Sequence, residues 1–420
     1  MEQKNIKYFF FPKFVFKHSL FLFFFIAMIA KKIIKIFIEK GQTNHLIFYF
    51  FKLYVYNIGD FISLIPFLII KYRMKKSNKI HLKPTLTNIF IDEISLIYNK
   101  TQPKMIKKCS TIVHVILYTI FDFIAQISET IYFLLVEEND ITIPHISFNS
   151  AKVINILSTL LFSRIILKIE FYKHHCFAIL VNIFCLLIIS IIDIIQINDN
   201  ILISIIYIIV KLSSNILYSI SNILEKIILF YDYFTPYSLL LNKAIIEFFY
   251  IAIFSIPFFF KKINIEKDEP KLIFAMFRYI FEEESEINII KIILVIGLII
   301  ISFFYNILIY QIVDKFSPNH LVIAQTFENF VYFIIDLIED SSDDDPFIIS
   351  VEFILNILLI SASVIYNEFI VINICGLAKN TQLFLNFEAA DEFSNNAIID
   401  NDINEEDNNN NKDEELEVLE

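Results

Sequence analysis

The chain reads as an all-α integral membrane protein, with ten transmembrane helices arranged as two inverted five-helix repeats. Three observations predict this. Ten separate apolar runs are spread through the 420 residues. The composition is 56% hydrophobic and 16% aromatic, with 4 Gly and no Trp, and the mean hydropathy is +0.62. Basic and acidic connections alternate through much of the sequence. A crossing needs roughly 20 mostly apolar residues at helical rise, and no soluble core of this length buries so many uninterrupted runs.

The runs are Tyr8–Ala30, His45–Ile70, Thr111–Val136, Ala151–Leu167, His175–Ile195, Ile201–Asn222, Ser238–Phe260, Ile289–Tyr310, His320–Leu337 and Phe347–Ile372. Lys4 and Lys7 precede the first, which contains Lys13, Lys17 and His18 and lacks a small-x-small cleavage site. It therefore reads as a retained span or signal anchor whose lysines snorkel or face protein.

Orientation follows the basic residues of short connections. Lys71, Arg73, Lys75, Lys76, Lys79 and Lys83 follow the second run, and Lys104, Lys107 and Lys108 precede the third. The next connection carries Glu137, Glu138 and Asp140, and Arg164, Lys168 and Lys173 follow on the other side. This alternation puts the second-to-third and fourth-to-fifth connections, and by extension both termini, in the cytosol. Lys31, Lys32, Lys35 and Lys40 in the first connection, and Lys261 and Lys262 later, run against it. A glycan on the Asn99-Lys100-Thr101 sequon would overturn it.

Five crossings per set invert the second set relative to the first. That is the plan of many secondary transporters, whose sites lie at the midplane between halves. A weak echo fits duplication: Ser150–Ile169 and Ser317–Asp336 each enter a run through a polar turn. Each then carries small or polar residues, Ser158, Thr159 and Ser163 or Ala324, Gln325 and Thr326, of the kind that let helices approach closely. The expected units are a first repeat over residues 1–200, a second over 201–378 and an acidic tail over 379–420. The formal net charge is −11, yet Asn386–Glu420 alone holds 13 Asp/Glu and one Lys, leaving about +1 for the remainder. With so little apolar content, the tail is expected to be disordered.

Ionisable groups inside a span cost at least about 2.5–3.5 kcal/mol each on insertion scales, so they face the bundle or a watery cavity. Asp60, Asp122, Glu129, Lys211, Glu247 and Glu328 lie deep in their runs, with Lys243 nearer one end, and these seven are the expected substrate-binding residues. Asp122 and Glu129 are seven apart and share a helix face. Lys211 precedes Ser213, Ser214 and Asn215, where a buried ammonium suits either an anionic phosphate or a structural ion pair.

No catalytic residue, cofactor or metal is expected. The chain lacks H-E-x-x-H, a Gly-rich phosphate loop and paired His/Asp spacing, and Cys109, Cys176, Cys185 and Cys375 form no C-x-x-C pair. His174-His175-Cys176 looks ligand-like but stands without a second cluster, and Asp343-Asp344-Asp345 reads as a solvated turn.

Several segments resemble the drug/metabolite transporter superfamily, in particular solute carrier family 35 F-type proteins related to nucleotide-sugar transporters. Tyr56-Asn57-Ile58-Gly59-Asp60-Phe61 is similar to its aromatic-x-Gly-acid-Phe pattern. Asp122, then Ser158-Thr159-Leu160-Leu161-Phe162-Ser163-Arg164, then Asp193 follow its order of an early Asp, a Ser-rich span ending in Ser-Arg, and a closing Asp. Leu224-Glu225-Lys226 with Tyr233-Phe234-Thr235-Pro236, Asp314-Lys315-Phe316-Ser317-Pro318 and Ile365-Tyr366-Asn367-Glu368 resemble its later turns. The likeness covers roughly residues 45–377. It departs where relatives carry Glu-Gly at Lys243-Ala244, Arg near Leu321 and an acid near Gln325.

The resemblance implies a secondary transporter of a small polar or anionic metabolite, such as a nucleotide-sugar-like solute. The departures keep open a non-transporting scaffold or receptor that retained the fold. The expected partners are the lipid bilayer and a small-molecule solute, without nucleic acid, and a homodimer is left open. The expected location is the endomembrane system (Golgi, ER or endolysosomal) rather than the plasma membrane.

Overall fold

The computed structural model describes residues 3–39, 45–76, 104–137, 149–196, 201–232, 234–260, 282–283, 286–287, 289–328, 330–331, 333–334 and 346–370. Among these the chain is helical apart from short turns, the connection over residues 166–172 and a short antiparallel pairing of Glu282–Glu283 with Glu286–Ile287. The helices are α1 (Gln3–Glu39), α2 (His45–Phe61), α3 (Leu64–Lys76), α4 (Lys104–Glu137), α5 (Asn149–Ile165), α6 (Lys173–Gln196), α7 (Ile201–Lys226), α8 (Pro236–Phe260), α9 (Ile289–Lys315), α10 (Pro318–Gln325) and α11 (Pro346–Tyr366). The tail, the Asn99 sequon, Asp336, Asp343–Asp345 and Cys375 lie outside the described residues, and Cys109 lies in α4 with its side chain outside the described ones.

Five helical segments are long and apolar enough to cross a membrane: Phe51–Tyr72, Thr111–Ser128, Pro236–Ile256, Ile289–Lys315 and Phe347–Tyr366. Val153–Ile165 and Lys173–Ile189 are shorter apolar helices. Five, rather than ten, satisfy both criteria among the described residues. The outward faces match a lipid environment. On α9, Ile289, Ile290, Ile293, Ile296, Ile300 and Phe304 recur at helical spacing and are 46–71% exposed. A soluble monomer rarely leaves so large an apolar stripe uncovered.

Three runs take a different form from the one expected. The first helix continues to Glu39, since no Gly or Pro interrupts Lys31–Glu39, so Lys31, Lys32 and Lys35 belong to α1 and not to a loop. The second run is broken at Ile62–Ser63. Pro66 cannot donate to the carbonyl of Ile62, which instead accepts from Ile65 N–H at 3.0 Å, while Ser63 Oγ donates to Asp60 O at 2.6 Å. In the ninth run, α10 starts at a Ser317 N-cap with Pro318 in its first turn and ends at Thr326, whose hydroxyl returns to Ile323 O at 2.7 Å.

Packing joins distant parts of the sequence. The broadest pairings are α4 with α7, α6 with α11, α1 with α9, and α5 with α7. Further pairs are α2 with α9, α8 and α4; α5 with α6 and α10; α4 with α8; α8 with α9; and α10 with α11. α9 also meets α7 and α10, and α10 meets α7. One core gathers Phe21 and Phe24 of α1, Leu239 and Leu240 of α8, and Phe303, Ile307 and Tyr310 of α9. Another joins Ile156, Leu186, Val322, Leu359 and Tyr366 of α5, α6, α10 and α11.

The ends of α5, α7, α9 and α11 meet at one end of the bundle, beside the starts of α6 and α10. Lys226 Nζ donates to the carbonyls of Val313 and Asp314, both at 2.8 Å, and of Phe316 at 3.3 Å. It thereby satisfies carbonyls that the last turn of α9 leaves open. Ser163 Oγ donates to Asn319 Oδ1 at 2.8 Å, and His174 Nε2 stands 3.3 Å from Glu368 Oε1.

Candidate functional site: a polar cavity within the helical bundle

Apolar helices that bury charge must bring those charges to one another or to water. Here they converge on a cavity of about 280 Å³ lined by α1, α2, α4, α7, α8, α9 and α10. Four of the seven expected residues line it: Asp60, Asp122, Lys243 and Glu247. Glu328 is half-buried, one turn beyond the lining residue Gln325, and is not itself in the lining. Glu129 lies in α4 and Lys211 in α7, with side chains outside the described ones.

Lys243, on the first half of α8, is the hub. Its ammonium lies 2.6 Å from Asp122 Oδ2 on α4 and 3.6 Å from Glu247 Oε1 one turn along its own helix. Gln126 Nε2 donates to Asp122 Oδ2 at 2.9 Å and to Glu247 Oε1 at 3.4 Å, closing the network. Asp122 and Gln126 both face α8 because residues four apart share a helix face.

Asp60 ends α2 just before the break. Its Oδ1 accepts from Asn306 Nδ2 of α9 at 2.6 Å. Gly59 makes that approach feasible: a Cβ there would lie 2.8 Å from Ile299 O and 3.3 Å from Ser302 Cβ. Asn57 Nδ2 donates to Ala244 O at 2.9 Å and ties α2 to α8 beside Lys243.

None of the other lining residues was among those expected to bind substrate. Lys31 counted as a loop charge, yet its ammonium stands 4.1 Å from the Tyr56 ring centre and 4.3 Å from that of Tyr305. Such cation–π contacts hold about 2 kcal/mol or more when desolvated. Tyr118 and Tyr310 share a 2.6 Å hydroxyl contact across α4 and α9. Glu225 is 2% exposed, and its Oε1 has no hydrogen-bond partner among the described residues. A signal existed for Lys31, since nine helix-compatible residues followed Ala30. The tyrosines carried none, because this chain has 20 Tyr and 47 Phe, and most such residues contact lipid or core.

With Lys31, Lys52 and Lys243 set against Asp60, Asp122, Glu225 and Glu247, the lining is near neutral and densely charged. It offers aromatic faces, amides and both signs of charge to a solute. Neither a protein-family model nor a curated protein matches the chain.

Proposed function

We propose that the chain is a multi-pass secondary transporter of a small polar or anionic metabolite, working by alternating access on a drug/metabolite-transporter-like fold of two inverted five-helix halves. The cavity carries this reading. It lies within an apolar-faced bundle, it is lined by charge and tyrosine, and it draws on elements from both sides of residue 200. A buried cavity of this chemistry is costly in a bilayer unless it holds water or a polar solute.

The pattern of helix pairs supports the two-half plan. Exchanging elements five runs apart turns α4–α7 into α1–α9, α2–α9 into α4–α8, α5–α6 into α10–α11, and α2–α4 into α8–α9. The pairs α2–α8, α5–α10 and α6–α11 are their own counterparts. The counterpart of α5–α7 is α1 against the segment after α10, where Phe25 and Phe327 pack with ring centres 4.8 Å apart. Contacts of α7 with α9 and α10, and of α9 with α10, have no counterpart among the described pairs. The gathering of the ends of α5, α7, α9 and α11 at one face supports strict alternation from the fourth run onward. With the basic Arg164–Lys173 connection at that face, it favours cytosolic termini.

Volume narrows the solute. About 280 Å³ lies just below the roughly 300–1,000 Å³ of ligand pockets. A small metabolite fits this state, and a nucleotide sugar requires the halves to part further. One observation favours the scaffold reading: Lys243 is already held by two carboxylates. The test is uptake by purified protein in liposomes, across sugar phosphates, nucleotide sugars, dicarboxylates and amino acids. Saturable uptake of one class, competed by its own members, is expected. Folded protein that moves none of them overturns transport in favour of the scaffold.

A further inference from the structure

We propose that His174, His175 and Glu368 form a binding site for a divalent transition-metal ion of the zinc class, at the end of the bundle where α6 begins and α11 ends. One ligand atom from each residue lies within 4.8 Å of the other two. His174 is 2% exposed and His175 8%, so both imidazoles are out of water. His174 Nε2 stands 3.3 Å from Glu368 Oε1, yet neither ring nitrogen of His174 has a hydrogen-bond partner among the described residues. A buried imidazole facing a carboxylate without hydrogen-bond alignment is costly as it stands. Bonds of roughly 2.0–2.1 Å at a tetrahedral angle put two ligand atoms about 3.3–3.4 Å apart, the spacing this pair already has.

The backbone fixes where the carboxylate stands. Glu368 has φ 56°, in the left-handed region. It follows the last turn of α11, where Phe369 N–H returns to Val364 O at 2.9 Å. Helices commonly close this way with Gly at that position, because a Cβ there is strained. α5 closes in the same way at Lys168, φ 55°, and what sets Glu368 apart is its carboxylate beside His174. The histidines are fixed by packing. His175 lies against Tyr366, ring centres 4.6 Å apart, and against the edge of His320 at 5.9 Å.

Two His and one Glu with an open fourth position suit zinc, whose borderline character accepts imidazole and carboxylate together. Magnesium and calcium, which take oxygen ligands, are disfavoured. The start of α6 presents its positive dipole end and the close of α11 its negative one, so the two fields oppose and coordination decides. A bound ion would tie α6 to α11, the pair that maps onto itself when the halves are exchanged.

The experiment is Zn²⁺ binding to full-length purified protein in lipid nanodiscs, by competition with a chromogenic chelator, together with melting curves with and without Zn²⁺. One tight site per chain and a Zn²⁺-dependent rise in melting temperature are expected. His174→Ala and Glu368→Gln should each weaken that site more than about 100-fold, beyond the roughly 10–100-fold typical of outer partners of a metal site. His114→Ala, at a separate contact with Asp232, should leave it intact. Glu368→Gly should abolish the site while raising the melting temperature of metal-free protein, because glycine relieves the left-handed strain. Folded parent protein without a tight site, or with an affinity that His174→Ala and Glu368→Gln leave unchanged, overturns the proposal and leaves a buried His174–Glu368 ion pair.

Discussion

Lys243 shows how a single residue controls this interior. Its charge is balanced by Asp122 at 2.6 Å and Glu247 at 3.6 Å, all three being at most 9% exposed. Breaking such a buried pair by removing one partner typically costs about 3–5 kcal/mol, because the other charge is left without compensation. Lys243→Met should therefore lower thermal stability in nanodiscs by that order. The triple variant Lys243→Met, Asp122→Asn, Glu247→Gln should recover most of the loss, since it removes the stranded charges as well. A Lys243→Met protein as stable as the parent would show that the network contributes little to the fold. The sequence made Asp122, Lys243 and Glu247 visible because charge inside an apolar run is rare. It could not show that they meet, which depends on how α4 and α8 pack. Lys31 was missed for the opposite reason: a charge at the edge of an apolar run looks like a loop until the helix is seen to continue.

Among the elements, the α2–α9 contact depends on one glycine. A methyl group at Gly59 would lie 2.8 Å from the backbone carbonyl of Ile299, and no side-chain rotation can relieve that contact. Gly59→Ala should separate α2 from α9, stretch the Asp60–Asn306 hydrogen bond and cost about 1–3 kcal/mol, the usual range for overpacking. Gly297→Ala is the opposite case. Its Cβ would meet only Ile34 Cδ1 at 3.6 Å, an ordinary contact, and alanine gains about 0.8–1.0 kcal/mol of helix propensity over glycine. Melting curves of the two variants should move in opposite directions; a shared direction would refute this account of the contact. The helices themselves were legible, since each apolar run falls at least partly on one. Their interruptions were less so. Pro66 stood in plain view, but reading the break needed the competing hydrogen bonds of Ser63 and Ile65. The end of α10 at Thr326 had no proline or glycine to announce it.

For the whole molecule, the question is which parts of the chain are needed for function. Among the described residues the cavity lining comes from the helices, and it alternates between early and late parts of the sequence. The acidic stretch Asn386–Glu420 carries a net charge of −12 and lies outside the described residues. If the molecule works as a transporter, its cycle resides in the helices. Removing that stretch should then leave uptake in liposomes and the melting temperature close to those of the full chain. If the molecule is a scaffold that kept the bundle, its working surface must lie elsewhere, and the strongest concentration of charge is this tail. Truncation would then abolish partner capture without affecting fold. Electrostatics make the outcomes separable, because a tail-mediated contact between exposed charges weakens as the Debye length shrinks from about 10 Å at 0.1 M salt to about 3 Å at 1 M. Charge pairs enclosed in the bundle are screened far less. Uptake that survives both truncation and high salt identifies the cavity as the working part. Uptake lost on truncation while the helices still melt cooperatively would mean that the tail is part of the machinery.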